Sequence, residues 1–380
     1  MIKELRNLPN FSLITDNLML FEVCREAQQQ SAVALDTEFV RVSSYYPKLG
    51  LIQLYDGERV SLIDPLAITD FSPFIELLRN HRVKKILHAC SEDLVVFLQE
   101  FSQLPEPMVD TQIMARFLKI SNSVGLATLV QHYFNIEIDK GATRTNWLKR
   151  PLSPIQLQYA ANDVWYLLAL YQHMQQELLA TPWQQAVADD CQLALNKCLN
   201  TQDKDPSNAY LDIANAWKLN PQELMRLKLL AQWRQKTGME RDLALSYVVK
   251  ADSLWKLAKF SPKNISEMLQ LGLSETEVRI RGKKMLQILQ QAKKYPLEEY
   301  PVKILRIADE TDYKTVMKRL QGKLNELTPE GLSSEIIASK RSLESLFKWH
   351  RIERQDPKKL PELLIGWRRD IGLQLSALID

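Results

Sequence analysis

The stretch VALDTEFVRVSSYYPKLGLIQLYDGERVSLID (33–64) decides the fold. Residues 33–41 are a run of β-formers with a polar insert, and 49–55 and 58–63 are two more. Asp56-Gly57 lies between the last two and signals a hairpin, because glycine supplies the positive φ that a tight turn needs. Toward the C terminus, FSPFIELLRN (71–80) predicts a helix capped by Ser72, with Pro73 at its first position. KKILHA (84–89) predicts a strand and SEDLVVFLQEF (91–101) an amphipathic helix. MVDTQIMARFLK (108–119) passes from strand into helix near Asp110. A hairpin followed by βαβα units indicates an α/β domain with a mixed sheet.

From about residue 124 the pattern turns helical. GLATLVQHYF (125–134) is helix-like, and 153–179 predicts one long helix with Ser153 as N-cap and Pro154 at N1. Another helix covers roughly 183–199. The polar stretch TQDKDPSN (201–208) reads as a linker. Five short helical segments follow, then a second linker at YPLEEYP (295–301) and a further helical stretch. The expected organisation is therefore an α/β domain at 1–203 and two small all-α domains at 210–292 and 300–380. Their similar size fits a diverged repeat.

Composition narrows the class. The chain is 46% hydrophobic and 25% charged, as in soluble globular proteins. No apolar run of about 18 residues occurs, so no membrane span is expected. The start lacks the features of a secretory signal. Cys24, Cys90, Cys191 and Cys198 form no C-x-x-C pair and read as reduced core residues. A cytoplasmic protein is the expectation. The net charge of +3 hides an asymmetry, with 17 Lys+Arg against 22 Asp+Glu in residues 1–200 and 32 against 24 beyond. Such a split suits one part that holds cations and another that meets a polyanion, although charge also scatters between ordinary domains.

The chemistry is carried by five residues. Asp36 and Glu38 sit two apart on a strand, so alternation puts both carboxylates on one face. Unpaired carboxylates are costly on a buried strand, and a cation with a preference for hard oxygen ligands would account for them. Alone, the pair also fits an edge strand whose acids face water. Tyr159 and Asp163 are four apart and stack on one helix face, with Ala160 and Ala161 keeping that stretch slim. A buried tyrosine beside a solvated aspartate would look the same. Asp93 falls in the first turn of its helix, where the dipole already favours a carboxylate. The conjunction is more telling than any member. Four acids from a central strand and two helices are about the number that two divalent ions roughly 3.5–4 Å apart require. Such a pair of ions activates a water and stabilises the leaving 3′-oxygen.

Three motifs resemble those of the tyrosine-containing branch of the DEDD exonuclease superfamily: DTEF (36–39), KKILHACSEDL (84–94) and QYAANDVWYLL (158–168). YYPKLGLIQLYDG (45–57), LIDPL (62–66), VDTQIMA (109–115) and RTNWLKRPLS (144–153) are similar to bacterial ribonuclease D. The resemblance runs nearly unbroken over residues 30–180. The basic half resembles a helicase-and-RNase-D C-terminal (HRDC) domain at about 210–292, and a second, diverged copy beyond 300. This implies a ribonuclease H-like mixed sheet flanked by helices, followed by the two helical domains. It implies a 3′→5′ exoribonuclease that releases nucleoside 5′-monophosphates from tRNA and other stable RNA precursors. Asp36 would bridge two divalent cations, Mg²⁺ or alternatively Mn²⁺. Glu38 and Asp163 would complete one metal site, Asp93 would hold the second, and Tyr159 would orient the nucleophilic water.

Other features have two readings each. Lys140, Arg144, Trp147, Lys149 and Arg150 mix basic residues with an aromatic and suit a grip on phosphates and a base near the RNA 3′ end. They equally suit a solvated loop with Trp147 tucked into the core. Gln53 sits on a core-like strand and is not counted among the substrate contacts, and His88 reads as structural. Arg279, Arg281, Lys283 and Lys284, and Lys358, Lys359, Arg368 and Arg369, can steer RNA or simply face water. The Trp residues at 217, 233, 255, 349 and 367 fit core positions. A DNA exonuclease shares the constellation, and RNA selectivity depends on 2′-hydroxyl contacts that residue types do not reveal. A nucleic-acid-binding scaffold with a vestigial site is the third reading, against which five intact residues weigh. A monomer is the expected state.

Overall fold

In a computed structural model describing residues 5–138, 145–202 and 205–379, segment 33–64 forms the centre of a six-stranded sheet. The strands are β1 (Phe11–Ile14), β2 (Ala32–Val40), β3 (Lys48–Tyr55), β4 (Val60–Ile63), β5 (Lys84–Leu87) and β6 (Met108–Asp110). Their order is β1-β4-β3-β2-β5-β6. The β2–β3 and β3–β4 pairs are antiparallel, and the rest are parallel. The Asp56-Gly57 hairpin forms as expected, with Gly57 at φ +99°. Val33, Leu35, Leu51, Ile52 and Leu62 are fully buried. Helices cover the sheet, so its central strands read as apolar runs rather than alternating ones.

The flanking helices are α1 (Asn17–Ala27), α2 (Ser72–Arg79), α3 (Ser91–Phe101), α4 (Thr111–Phe117) and α5 (Leu126–Phe134). The expected cap of α2 is corrected: Ser72 is the first helical residue, and Asp70 accepts its backbone N–H. The single long helix expected over 153–179 is interrupted at Tyr166, giving α6 (Pro154–Trp165) and α7 (Leu167–Leu179). The break falls between bulky aromatics rather than at a glycine or proline. Ser153 caps α6 with Gln156 in a reciprocal capping box. α8 (Gln184–Gln202) follows.

The chain divides into two compact units. One comprises residues 41–46 and 200–311. Its helices are α9 (Pro221–Arg241), α10 (Leu245–Val248), α11 (Ala251–Phe260), α12 (Ile265–Gln270) and α13 (Glu275–Ala292). They enclose their own core of Leu224, Leu227, Leu254, Leu257, Met268, Met285 and Leu289, with Trp233 and Trp255 packed against it. Trp217 lies under the Arg306 guanidinium, 3.9 Å from its centre.

The other unit joins the α/β domain to residues 312–380. This C-terminal part holds α14 (Tyr313–Leu327), α15 (Ser334–Ile337), α16 (Lys340–Arg351) and α17 (Arg369–Ser376). A long helix, a one-turn helix and a third helix recur in the order seen at α9–α11, as a diverged repeat would give. Arg368 explains how it docks. Its guanidinium forks onto Asp190 on α8, which is only 8% exposed, and also donates to the Ile336 and Ile337 carbonyls. Trp367 donates its Nε1–H to the same carboxylate at 2.9 Å and packs edge-on to Phe117. Arg368 is thus a structural clamp rather than a steering charge. Arg368→Lys keeps the charge but loses the fork. A loss of about 1.5–3 kcal/mol is expected in urea unfolding, the scale of a hydrogen bond to a charged group. Unchanged stability would show the clamp to be idle. Among the described residues no helix is long and apolar enough to cross a membrane.

Candidate active site

β2 pairs with β5 only over Ala32–Ala34, while its ladder with β3 runs on to Val40. The second half of β2 therefore overhangs the end of β5, where the chain turns through Ala89 (φ 53°) into α3. A bulge between Glu38 and Phe39 bends the strand there. α6 lies against β2, β3 and β4, and its own Ala160 and Ala161 are fully buried. The slim stretch thus permits the close approach that its small side chains suggest.

These elements enclose a cleft of about 260 Å³ lined by Asp36, Thr37, Glu38, Phe39, His88, Asp93, Leu126, Tyr159, Asp163 and Leu167. All five sequence-predicted residues, separated by up to 127 positions (36 to 163), line this one cleft. Thr37 is a partner that sequence reading missed. Its hydroxyl donates to Asp93 Oδ1 and fastens α3 to the strand carrying the two acids. Asp110 is another, because its carboxylate accepts the Ala89, Cys90 and Gln112 N–H groups and so holds the start of α3 in place. Alternation around the D-T-E triplet gives no hint of the first. The N-cap position of Asp110 gives a partial hint of the second.

Crowding sets the electrostatics. Asp36, Glu38 and Asp163 keep some access through the cleft mouth but are otherwise walled in by protein. Burial, and then Asp93, Asp163 and Glu38, push the Asp36 carboxyl well above the usual range. Burial followed by Asp163 and Asp93 raises Glu38 to about 9. Burial raises Asp93 to about 7 against the Thr37 hydrogen bond, and Asp163 to about 7 against the Tyr159 hydroxyl. Among the described residues no Lys or Arg lines the cleft. Four hard oxygen donors that repel one another, with no cationic side chain between them, fit divalent cations. Among the described residues no three His, Cys, Asp or Glu side chains are already closed around a metal-sized centre.

The other expected substrate residues are corrected or lie elsewhere. Lys140 and Arg144 are outside the described residues. Trp147 is 2% exposed and cannot stack a base; its ring sits 6.2 Å from that of Tyr159. Arg150 binds Asp64 through two 2.6 Å contacts and donates to the Gly50 and Trp147 carbonyls at 2.7 and 2.8 Å. Both side chains are engaged with protein, and neither is among the residues that line the cleft. Gln53 has no solvent exposure, so it does not reach substrate. His88 bonds Thr111 through Nδ1 and forms part of the cleft wall.

The chain is 64% identical to the ribonuclease D of Haemophilus influenzae over 375 residues, 99% of this chain and 94% of that one. It belongs to the ribonuclease D family. It is also 41% identical to the ribonuclease D of Escherichia coli over 364 residues, 95% and 96% of the two chains. The fold matches the crystal structure of E. coli RNase D, described as an exoribonuclease involved in structured RNA processing. The TM-score is 0.93 over 97% of this chain and 98% of that one, at 41% identity. Residues 11–179 match the 3′-5′ exonuclease family, 223–289 the HRDC domain and 311–374 the ribonuclease D C-terminal HRDC domain. As a ribonuclease D it is a 3′→5′ exoribonuclease, a hydrolase of phosphodiester bonds. Its family implies divalent metal ions and an RNA substrate.

Proposed function

We propose that this enzyme trims the 3′ ends of stable RNA precursors, tRNA precursors among them, as a cytoplasmic monomer using two Mg²⁺ ions. Its proposed parts are an exonuclease domain at 1–203 and HRDC domains at 210–292 and 300–380. The carrying observation is the cleft of four mutually repelling carboxylates, with no Lys or Arg in its lining among the described residues. Asp36 feels all three other acids, which supports it as the bridge between two cations. Glu38 and Asp163, which line the same cleft, would complete one metal site. Asp93, fastened by Thr37, would hold the second. When bound, the cations activate the attacking water and stabilise the charge that develops on phosphorus and the leaving 3′-oxygen.

Burial and the surrounding acids push the Tyr159 phenol up, so it stays a neutral hydroxyl at physiological pH. It therefore acts by hydrogen bonding and orients water without taking its proton. Its hydroxyl hydrogen-bonds the Asp163 carboxylate, and the Trp147 ring packs 6.2 Å from its own. Water attacks the last phosphodiester, the P–O3′ bond breaks, and a nucleoside 5′-monophosphate leaves with a 3′-hydroxyl on the shortened chain. Digestion of 5′-labelled RNA and matched DNA checks this reading. The expected result is a ladder shortened one nucleotide at a time on RNA, abolished by chelator and restored by Mg²⁺. Chelator-insensitive cleavage would remove the metal site, and equal rates on DNA would remove the RNA selectivity.

A further inference from the structure

The half of β2 that carries Asp36 and Glu38 is held sparingly by its own sheet. Beyond Ala34 its ladder continues with β3 alone, and a bulge interrupts that ladder between Glu38 and Phe39. The chain then leaves the sheet for residues 41–47, between the paired Val40 and Lys48. Hairpin loops usually run to about two to five residues, so this one is long. Residues 41–46 belong to the compact unit formed by residues 200–311. Within that unit the Ser43 carbonyl accepts the Ala244 N–H at 2.8 Å. The Tyr46 N–H donates to Asp242 Oδ1 at 3.0 Å, and the Gln235 amide donates to the Tyr45 hydroxyl. A Cβ on Gly238 would come 3.2 Å from the Tyr45 ring, so the end of α9 presses on the loop. Ser43, Tyr45 and Tyr46 are thus all bonded to one short stretch, 235–244. Glu38 lies only three positions before Arg41 in the chain. Recruiting RNA alone requires no such hold on this loop.

We propose that the Asp242 carboxylate and the Ala244 N–H are positioning groups for the metal site: they pin the tip of the β2–β3 hairpin and so fix where the strand presents Asp36 and Glu38. The first helical unit is then a structural part of the catalytic machinery. The inference rests on the metal-site reading above. Asp242 and Ala244 act through the strand, with no contact to RNA or cation. A displacement of about 1 Å caused by a change far from the chemistry can cost on the order of 10²-fold in rate, and a partly loosened hairpin is expected to cost about tenfold.

The test uses two full-length variants that cut different bonds to the loop. Asp242→Ala removes the acceptor of the Tyr46 N–H. Ala244→Pro removes the N–H given to Ser43, at a residue whose φ of −53° proline can adopt. Asp242→Asn is the conservative control, since asparagine keeps an acceptor and tolerates the left-handed backbone found there (φ 47°). Steady-state kinetics are read on a short single-stranded oligonucleotide and on a long structured RNA, and Mn²⁺ affinity by calorimetry without RNA. The expected result in both disruptive variants is a kcat about tenfold lower on both RNAs, with KM little changed and Mn²⁺ bound more weakly. Asp242→Asn should restore most of the rate. A helical unit that only recruits RNA gives another pattern: KM raised on the long RNA alone, with kcat and Mn²⁺ affinity at wild-type values. That pattern, or an unchanged kcat in either folded variant, overturns the proposal. Melting in chelator identifies a variant that has not folded, and the other then decides. If wild type itself binds no Mn²⁺, the metal-site reading falls and takes this inference with it.

Discussion

Asp36→Asn is expected to leave a folded protein that binds RNA but turns it over on the order of 10³–10⁴ times more slowly. The metal ions supply several kcal/mol of transition-state stabilisation, and each 1.36 kcal/mol is about tenfold in rate. Asp36 is the acid most exposed to the charge of the other three, so its loss disturbs both ion positions at once. The effect on stability runs the other way. In the metal-free protein Asp93 and Asp163 titrate at about 7 and Glu38 at about 9, against roughly 3.9 and 4.3 for unfolded Asp and Glu. Between these values the folded state holds more protons than the unfolded one, so stability falls as pH rises. The favourable contribution is full below about pH 4 and is lost as pH climbs through 7 to 9. Calorimetry in chelator should show wild-type Tm declining over that window. In Asp36→Asn the decline should be shallower, because one of the repelling groups is gone. Mg²⁺ should raise the wild-type Tm more at pH 8 than at pH 6, since cation and protons compete for the same oxygens. A folded Asp36→Asn protein that degrades RNA at the wild-type rate would sink the assignment.

Local pattern reached a good part of this molecule, and the failures have a common cause. Asp36 with Glu38, and Tyr159 with Asp163, are legible because strand and helix periods place them together without tertiary information. The Asp56-Gly57 hairpin is legible because a turn is a local object. β1 is not, since FSLI (11–14) is four residues long and pairs with β4 across 49 positions, Phe11 to Val60. The strand order is non-local in the same sense. The bend at Tyr166 carries no glycine or proline to announce it. Trp147 and Arg150 were open to misreading because a basic, aromatic stretch also suits RNA. Their true partners, Asp64 and Gly50, lie 86 and 100 positions away from Arg150. Arg368 finds Asp190 at 178 positions. Buried charges are paired almost without exception, yet sequence alone does not say with whom.

Arg150→Met carries the second large effect, and its signature separates a structural fastener from an RNA grip. Arg150 ties three things together: the Asp64 carboxylate after β4, the Gly50 carbonyl in β3, and the Trp147 carbonyl in its own segment. Gly50 has no room for a side chain, because an added Cβ would lie 2.7 Å from that of Trp147. The strand and the Trp147 segment are therefore pressed together, and Arg150 is the fastener. Removing one partner of a buried ion pair typically destabilises by about 3–5 kcal/mol. Arg150 keeps 26% of its side chain exposed, against 9% for Asp64, so the low end, about 3 kcal/mol, is expected. That should lower Tm by roughly 6–12 °C at about 2–4 °C per kcal/mol. Release of Trp147 also frees the ring of Tyr159, and a displacement of about 1 Å at a reacting centre can cost on the order of 10²-fold. The fall should appear in kcat, with KM for RNA and its salt dependence unchanged, because no phosphate contact is lost. Arg150→Lys, which keeps the charge without the fork, should still lose much of the stability. A phosphate-gripping arginine predicts the reverse: Tm unchanged, KM raised, and the dependence of binding on salt reduced by about one counterion. That second pattern in urea unfolding and steady-state kinetics would return Arg150 to the substrate path.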